Sequence, residues 1–106
     1  MANDELYSRR LTWSEARTLG GERFELIPDE SRPERVAVTV ESVALKDGNA
    51  RLVQFSLVFL GPADPVFAQK TYRFRHARLG DYAFLITPVG RDAQGTRYEA
   101  CFSHEA

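Results

Sequence analysis

The chain has 106 residues, 43% of them hydrophobic and 27% charged, with a formal net charge of -1. That length suits one domain with one core, and the balance excludes disordered and strongly basic polyanion-binding classes. A single cysteine, Cys101, excludes an internal disulfide framework and predicts a reducing, cytoplasmic setting.

The first ten residues read as a loose terminus leading into a single β domain that takes up the rest of residues 1–106. This acidic start, with no apolar stretch behind it, predicts no signal peptide, and no later run is long enough to span a bilayer. A short helix begins at Leu11-Thr12-Trp13-Ser14-Glu15. Thr12 caps it, Glu15 reaches back to the cap amide, Gly20-Gly21 stops it, and Trp13 packs onto the sheet that follows.

From Glu22 the period becomes two, with Phe24 and Leu26 on one face of the first strand. After a polar loop over residues 28–33, Val36, Val38 and Val40 share a face, but Val43 and Leu45 continue the apolar row on the other parity. A β-bulge at Glu41-Ser42 would keep both halves on one core. Lys46-Asp47-Gly48-Asn49 reads as a hairpin turn needing positive φ. The next strand, residues 51–60, turns Val53, Phe55, Leu57 and Phe59 inward, and its second half is apolar on both faces, as in a strand covered on both sides. Gly61-Pro62-Ala63-Asp64-Pro65 ends it.

Residues 66–74 form the following strand, with Tyr72 and Phe74 opposite Thr71, Arg73 and Arg75. A loop over 76–81 leads to a strand over 82–87. Pro88-Val89-Gly90 and Gln94-Gly95 bracket the last hairpin loop, and Tyr98, Ala100 and Phe102 make the inward row of the final strand. The predicted fold is mainly β: a small antiparallel β-barrel or compact sandwich of five to seven strands behind a short N-terminal helix.

The most basic stretch holds Arg73, Arg75, His76 and Arg78, with Lys70 upstream. Guanidinium forks suit phosphate or carboxylate, so these four are the candidate binding residues for an anion or an acidic partner segment. The competing reading makes them solvent-facing charges that guard a sheet edge. Tyr72 and Phe74 fall on the face opposite the arginines, which argues against a nucleic-acid stacking platform. Cys101 with His76 or His104, and Ser56 with His76 and Asp81, are the available nucleophile sets. Neither lies in a catalytic motif, and no zinc or calcium spacing occurs, so the expectation is a non-enzyme without metal or cofactor.

Phe55-Ser56-Leu57-Val58-Phe59-Leu60-Gly61-Pro62, Thr71-Tyr72, His76, Leu79-Gly80, Phe84-Leu85, Pro88-Val89-Gly90 and Tyr98-Glu99-Ala100-Cys101-Phe102, with Leu11-Thr12 and Phe24-Glu25-Leu26 before them, resemble a family of small bacterial proteins described as a domain of unknown function. The resemblance brings no catalytic residues. Members are often encoded near proteins with phage-tail-collar-like domains, which implies an accessory or assembly role. The functional expectation is therefore a non-enzymatic accessory or protein-interaction module, with a protein partner and a homodimer formed through a free sheet edge. The alternative is a small-molecule-binding barrel whose aromatic side chains line a cavity and whose Arg73, Arg75 or His76 fixes an anion.

Overall fold

The computed structural model describes residues 9–106, so most of the expected loose terminus lies outside the described residues. Among these residues one helical turn, α1 (Trp13–Ala16), precedes β1 (Arg23–Ile27), β2 (Val36–Asn49), β3 (Leu52–Gly61), β4 (Lys70–His76), β5 (Gly80–Asp92) and β6 (Gly95–Glu105). All pairings are antiparallel, and the six strands close into a barrel in the order β1-β2-β3-β6-β5-β4. The closing seam is short: Glu25, Leu26 and Ile27 face Arg75, Phe74 and Arg73. Closure decides for the barrel over the sandwich.

Alternation produces the core directly, because every second side chain of each strand points to the axis. Phe24, Leu26, Val38, Val40, Phe55, Leu57, Phe59, Phe74, Tyr82, Phe84, Ile86 and Tyr98 are all buried. Their rings are in mutual contact, with Phe59 5.0 Å from Phe74 and 5.6 Å from Phe24, and Phe84 5.1 Å from Phe74 between ring centres. Rings from several strands thus fill the interior, and removing one Phe side chain would cost about 3–5 kcal/mol.

The parity slip in β2 is a bulge, for the register steps between Val40 and Ser42. Val43 still packs on the core, but Leu45, opposite Phe55 on the stretch of β2 that β1 does not pair with, is 58% exposed. The expected hairpin turn sits later than predicted. β2 runs through Asn49, the corners are Ala50 and Arg51, and the Asn49 side chain accepts the Arg51 amide at 2.9 Å. Gly48 does not take positive φ; a Cβ there would run into the Leu52 carbonyl as the strands close at a second register shift.

Three further expectations are corrected. β4 starts at Lys70, leaving residues 66–69 in a loop where Phe67 packs on Tyr72 and Tyr98. Pro88-Val89-Gly90 makes a bulge within β5, which continues to Asp92. β3 faces outward on its second side, where Val58 and Leu60 are half-buried among neighbouring strands instead of under a second layer.

The segment from Arg9 to Leu19 crosses one end of the barrel. Glu15 Oε1 accepts both the Thr12 amide and the Thr12 hydroxyl at 3.1 Å, so the predicted cap forms around this carboxylate. Leu11, Ala16 and Leu19 are buried, and Trp13 lies 5.6 Å from Phe55. Arg9 donates to the carbonyls of Leu79 and Asp81 and lies over the Tyr82 ring at 4.0 Å. Among the described residues no helix is long and apolar enough to cross a membrane.

Candidate functional site

The β4–β5 hairpin turns over Ala77, Arg78 and Leu79, which places Arg75 opposite Asp81 and Arg73 opposite Ala83. The small Ala83 leaves room for Arg73 to reach the same carboxylate. Arg75 donates Nε to Asp81 Oδ1 at 2.8 Å and Nη2 to Oδ2 at 3.0 Å; Arg73 donates Nε to Oδ2 at 2.9 Å and its Nη1 to Glu30. The Arg75 hydrogen bonds hold the Asp81 carboxyl below its ordinary range, against the effect of burial, and Arg73 adds to this. Glu30 above all, with Asp81, raises Arg73, and Asp81 raises Arg75.

β4 pairs on both sides, so these arginines do not guard an open edge. They brace the outer face, and Asp81 and Glu30 already offset part of their charge. Grooves of about 440 and 430 Å³ flank the cluster; Lys70, Asp29 and Glu30 line the first, and Arg23, Glu25 and Ala77 the second.

His76 belongs elsewhere. It faces the core at 5% exposure, 4.8 Å from the Phe24 ring. Its Nδ1 accepts the backbone amides of Arg78 at 3.2 Å and Leu79 at 3.0 Å, which assigns the proton to Nε2, donated to Glu22 Oε1 at 2.6 Å. Arg78 Nη2 reaches the same oxygen at 3.4 Å from an exposed position. The hydrogen-bond partners of the four candidate residues therefore differ, Arg73 and Arg75 sharing Asp81 and His76 and Arg78 sharing Glu22, while the second groove is lined by both Arg75 and His76.

The nucleophile sets are not assembled. His76 spends both nitrogens as described, and His104 accepts the Trp13 amide on Nε2 at 3.0 Å while Nδ1 donates to the Glu105 carbonyl at 2.8 Å. No free imidazole nitrogen serves Ser56 or the exposed Cys101, whose sulfur instead receives Lys46 Nζ at 3.6 Å. Among the described residues no three His, Cys, Asp or Glu side chains are placed to hold a metal ion.

Glu22, Glu30 and Asp81 complete these clusters; the sequence singled out Asp81 only beside Ser56 and His76, and neither Glu22 nor Glu30 as a partner of the basic run. A hairpin register drawn through Gly80 would have found Asp81, since it pairs residues 75 and 81. Glu22 and Glu30 come from remote segments and carry no local signal.

Residues 11–102 match the family model described as Domain of unknown function (DUF6916), and the chain belongs to that family. No curated protein matches it, and no solved structure does.

Proposed function

We propose that this member of a family without assigned activity is a non-catalytic accessory module that binds another protein through the outer wall of its barrel. The observation that carries this reading is where the apolar side chains remain uncovered. The interior is filled by rings, while Leu85 and Val89 stand 55% and 54% exposed along one strand, β5, beside the small Ala83 and Thr71. Two exposed apolar side chains on one strand of a rigid wall suit a protein contact. An accessory role beside phage-tail-like assemblies is the finer form of this proposal and rests on the sequence resemblance alone. Residence in a reducing cytoplasm goes with it, in keeping with the exposed free thiol of Cys101.

The small-molecule alternative loses its main support. The rings meant to line a cavity pack against one another, and the arginines meant to fix an anion already face carboxylates. Cross-linked capture from the native cells tests the leading reading. The wild-type chain should retain a partner protein that a Leu85→Glu/Val89→Glu double variant, folded by circular dichroism, loses. Equal capture by both chains, or a co-purifying metabolite with no protein, refutes it.

A further inference from the structure

The barrel's strands are of unequal length, and among the described residues the excess of β2 has no strand on one of its edges. β1 covers β2 only along Val36 to Thr39, and the last backbone bonds on that side join Val40 to Gly21 and Glu22. From Ser42 onward, among the described residues, β3 alone pairs with β2. Two register shifts, one before Ser42 and one after Lys46, bound a regular window of five residues, Ser42-Val43-Ala44-Leu45-Lys46, about 17 Å long.

Exposed edges are ordinarily guarded by a lysine that makes a docked strand lose its solvation. Here Lys46 is drawn back across its own sheet, with Nζ 3.7 Å from Glu99 Oε2 and 3.6 Å from Cys101 Sγ, both on β6. The window also exposes Leu45 at 58%, beside a groove of about 230 Å³ lined by Leu52 and Val53.

We propose that this edge pairs with the same edge of a second copy, forming a two-fold antiparallel dimer centred on Ala44. This rests on the interaction reading above and names a partner for a different surface. The window is self-complementary about that residue. The two-fold sets Ala44 against its equivalent, Val43 against the other copy's Leu45, and Ser42 against its Lys46. Strand parity keeps Val43 and Leu45 of both copies on one face, so four aliphatic side chains form one cluster and Leu45 is covered. Unpaired amides and carbonyls of both edges satisfy each other in the same step. A foreign strand would need to supply this pattern, whereas a second copy carries it. Five residues per strand bury less than the ~1,200 Å² of stable complexes, so the dimer is weak and reversible.

Sedimentation equilibrium of the full chain, from roughly 10 μM to 1 mM, tests this over the range where weak association is read. The wild-type mass should climb from 12.0 kDa toward twice that value. Leu45→Lys and Ala44→Lys, both at exposed positions, should each weaken association at least tenfold while leaving circular dichroism unchanged. A mass that stays at the monomer value throughout overturns the proposal, as does a dimer that both variants leave intact. A monomer whose Leu45→Lys variant loses a captured foreign protein assigns the edge to that protein and equally overturns it. The β5 capture experiment is scored independently, so the two readings fail separately.

Discussion

Replacing Tyr82 by Phe should make the protein more stable. The Tyr82 side chain is fully buried, its ring stacked on Phe84 at 5.2 Å, and its hydroxyl has no hydrogen-bond partner among the described residues. Burial above all raises its pKa, the nearby Glu15 carboxylate adds to the shift and the nearby Arg9 guanidinium opposes it. An unpaired buried hydroxyl costs roughly 1–3 kcal/mol. Phe keeps the ring, the Phe84 stack and the surface on which Arg9 rests, and removes only that oxygen. The expected gain is about 1–2 kcal/mol, which at about 4–8 °C per kcal/mol for a domain near this size raises Tm by several degrees. Urea and thermal unfolding, followed by near- and far-ultraviolet circular dichroism to check two-state behaviour, measure it. An unchanged or lowered stability would show that the hydroxyl is satisfied in solution, and the reasoning would fail.

Two more expectations concern the ionic clusters. Asp81 has a folded pKa below its unfolded value, so its contribution is complete above about pH 4 and is lost as pH falls through the folded pKa. Asp81→Asn should cost about 1–2 kcal/mol at neutral pH and flatten the decline of stability below pH ~4; a parallel decline in both proteins would remove Asp81 from the account. His76→Phe keeps a ring beside Phe24 but strips the acceptor from two amides and the donor from Glu22, for a loss of about 2–3 kcal/mol. Hydrogen exchange should quicken at the Arg78 and Leu79 amides, and unchanged protection there would contradict the assigned role of Nδ1.

Local alternation made much of this fold legible in the sequence. The inward rows through Phe55 to Phe59, Tyr72 and Phe74, and Tyr98 to Ala100 follow from parity, and the slip after Val40 pointed to the bulge the structure contains. Turn chemistry was more ambiguous. Gly48 serves a close backbone approach, and Pro88 with Gly90 serves a bulge, although each residue type also favours turns. What pattern could not disclose was pairing between distant segments. The β1–β4 contact, Glu30 on Arg73 and Glu22 on His76 join residues 43 to 54 positions apart, and no period encodes them. The basic run around residue 75 therefore looked like one site, because alternation and the hairpin that divide it act in three dimensions.

The three-pair seam between β1 and β4 also bears on how the chain assembles. Residue 25 must find residue 75, so the ring closes across a loop of about fifty residues whose ordering is costly before few contacts repay it. The β2–β3 and β4–β5 hairpins have many more pairs to zip locally, and β3–β6, although its partners also lie 35 to 53 residues apart, repays its closure with ten pairs where the seam has three. Such topology favours slow folding in which the hairpins form early and the cylinder shuts last. The same junction is then the weakest stave, the place where the hoop first springs under load.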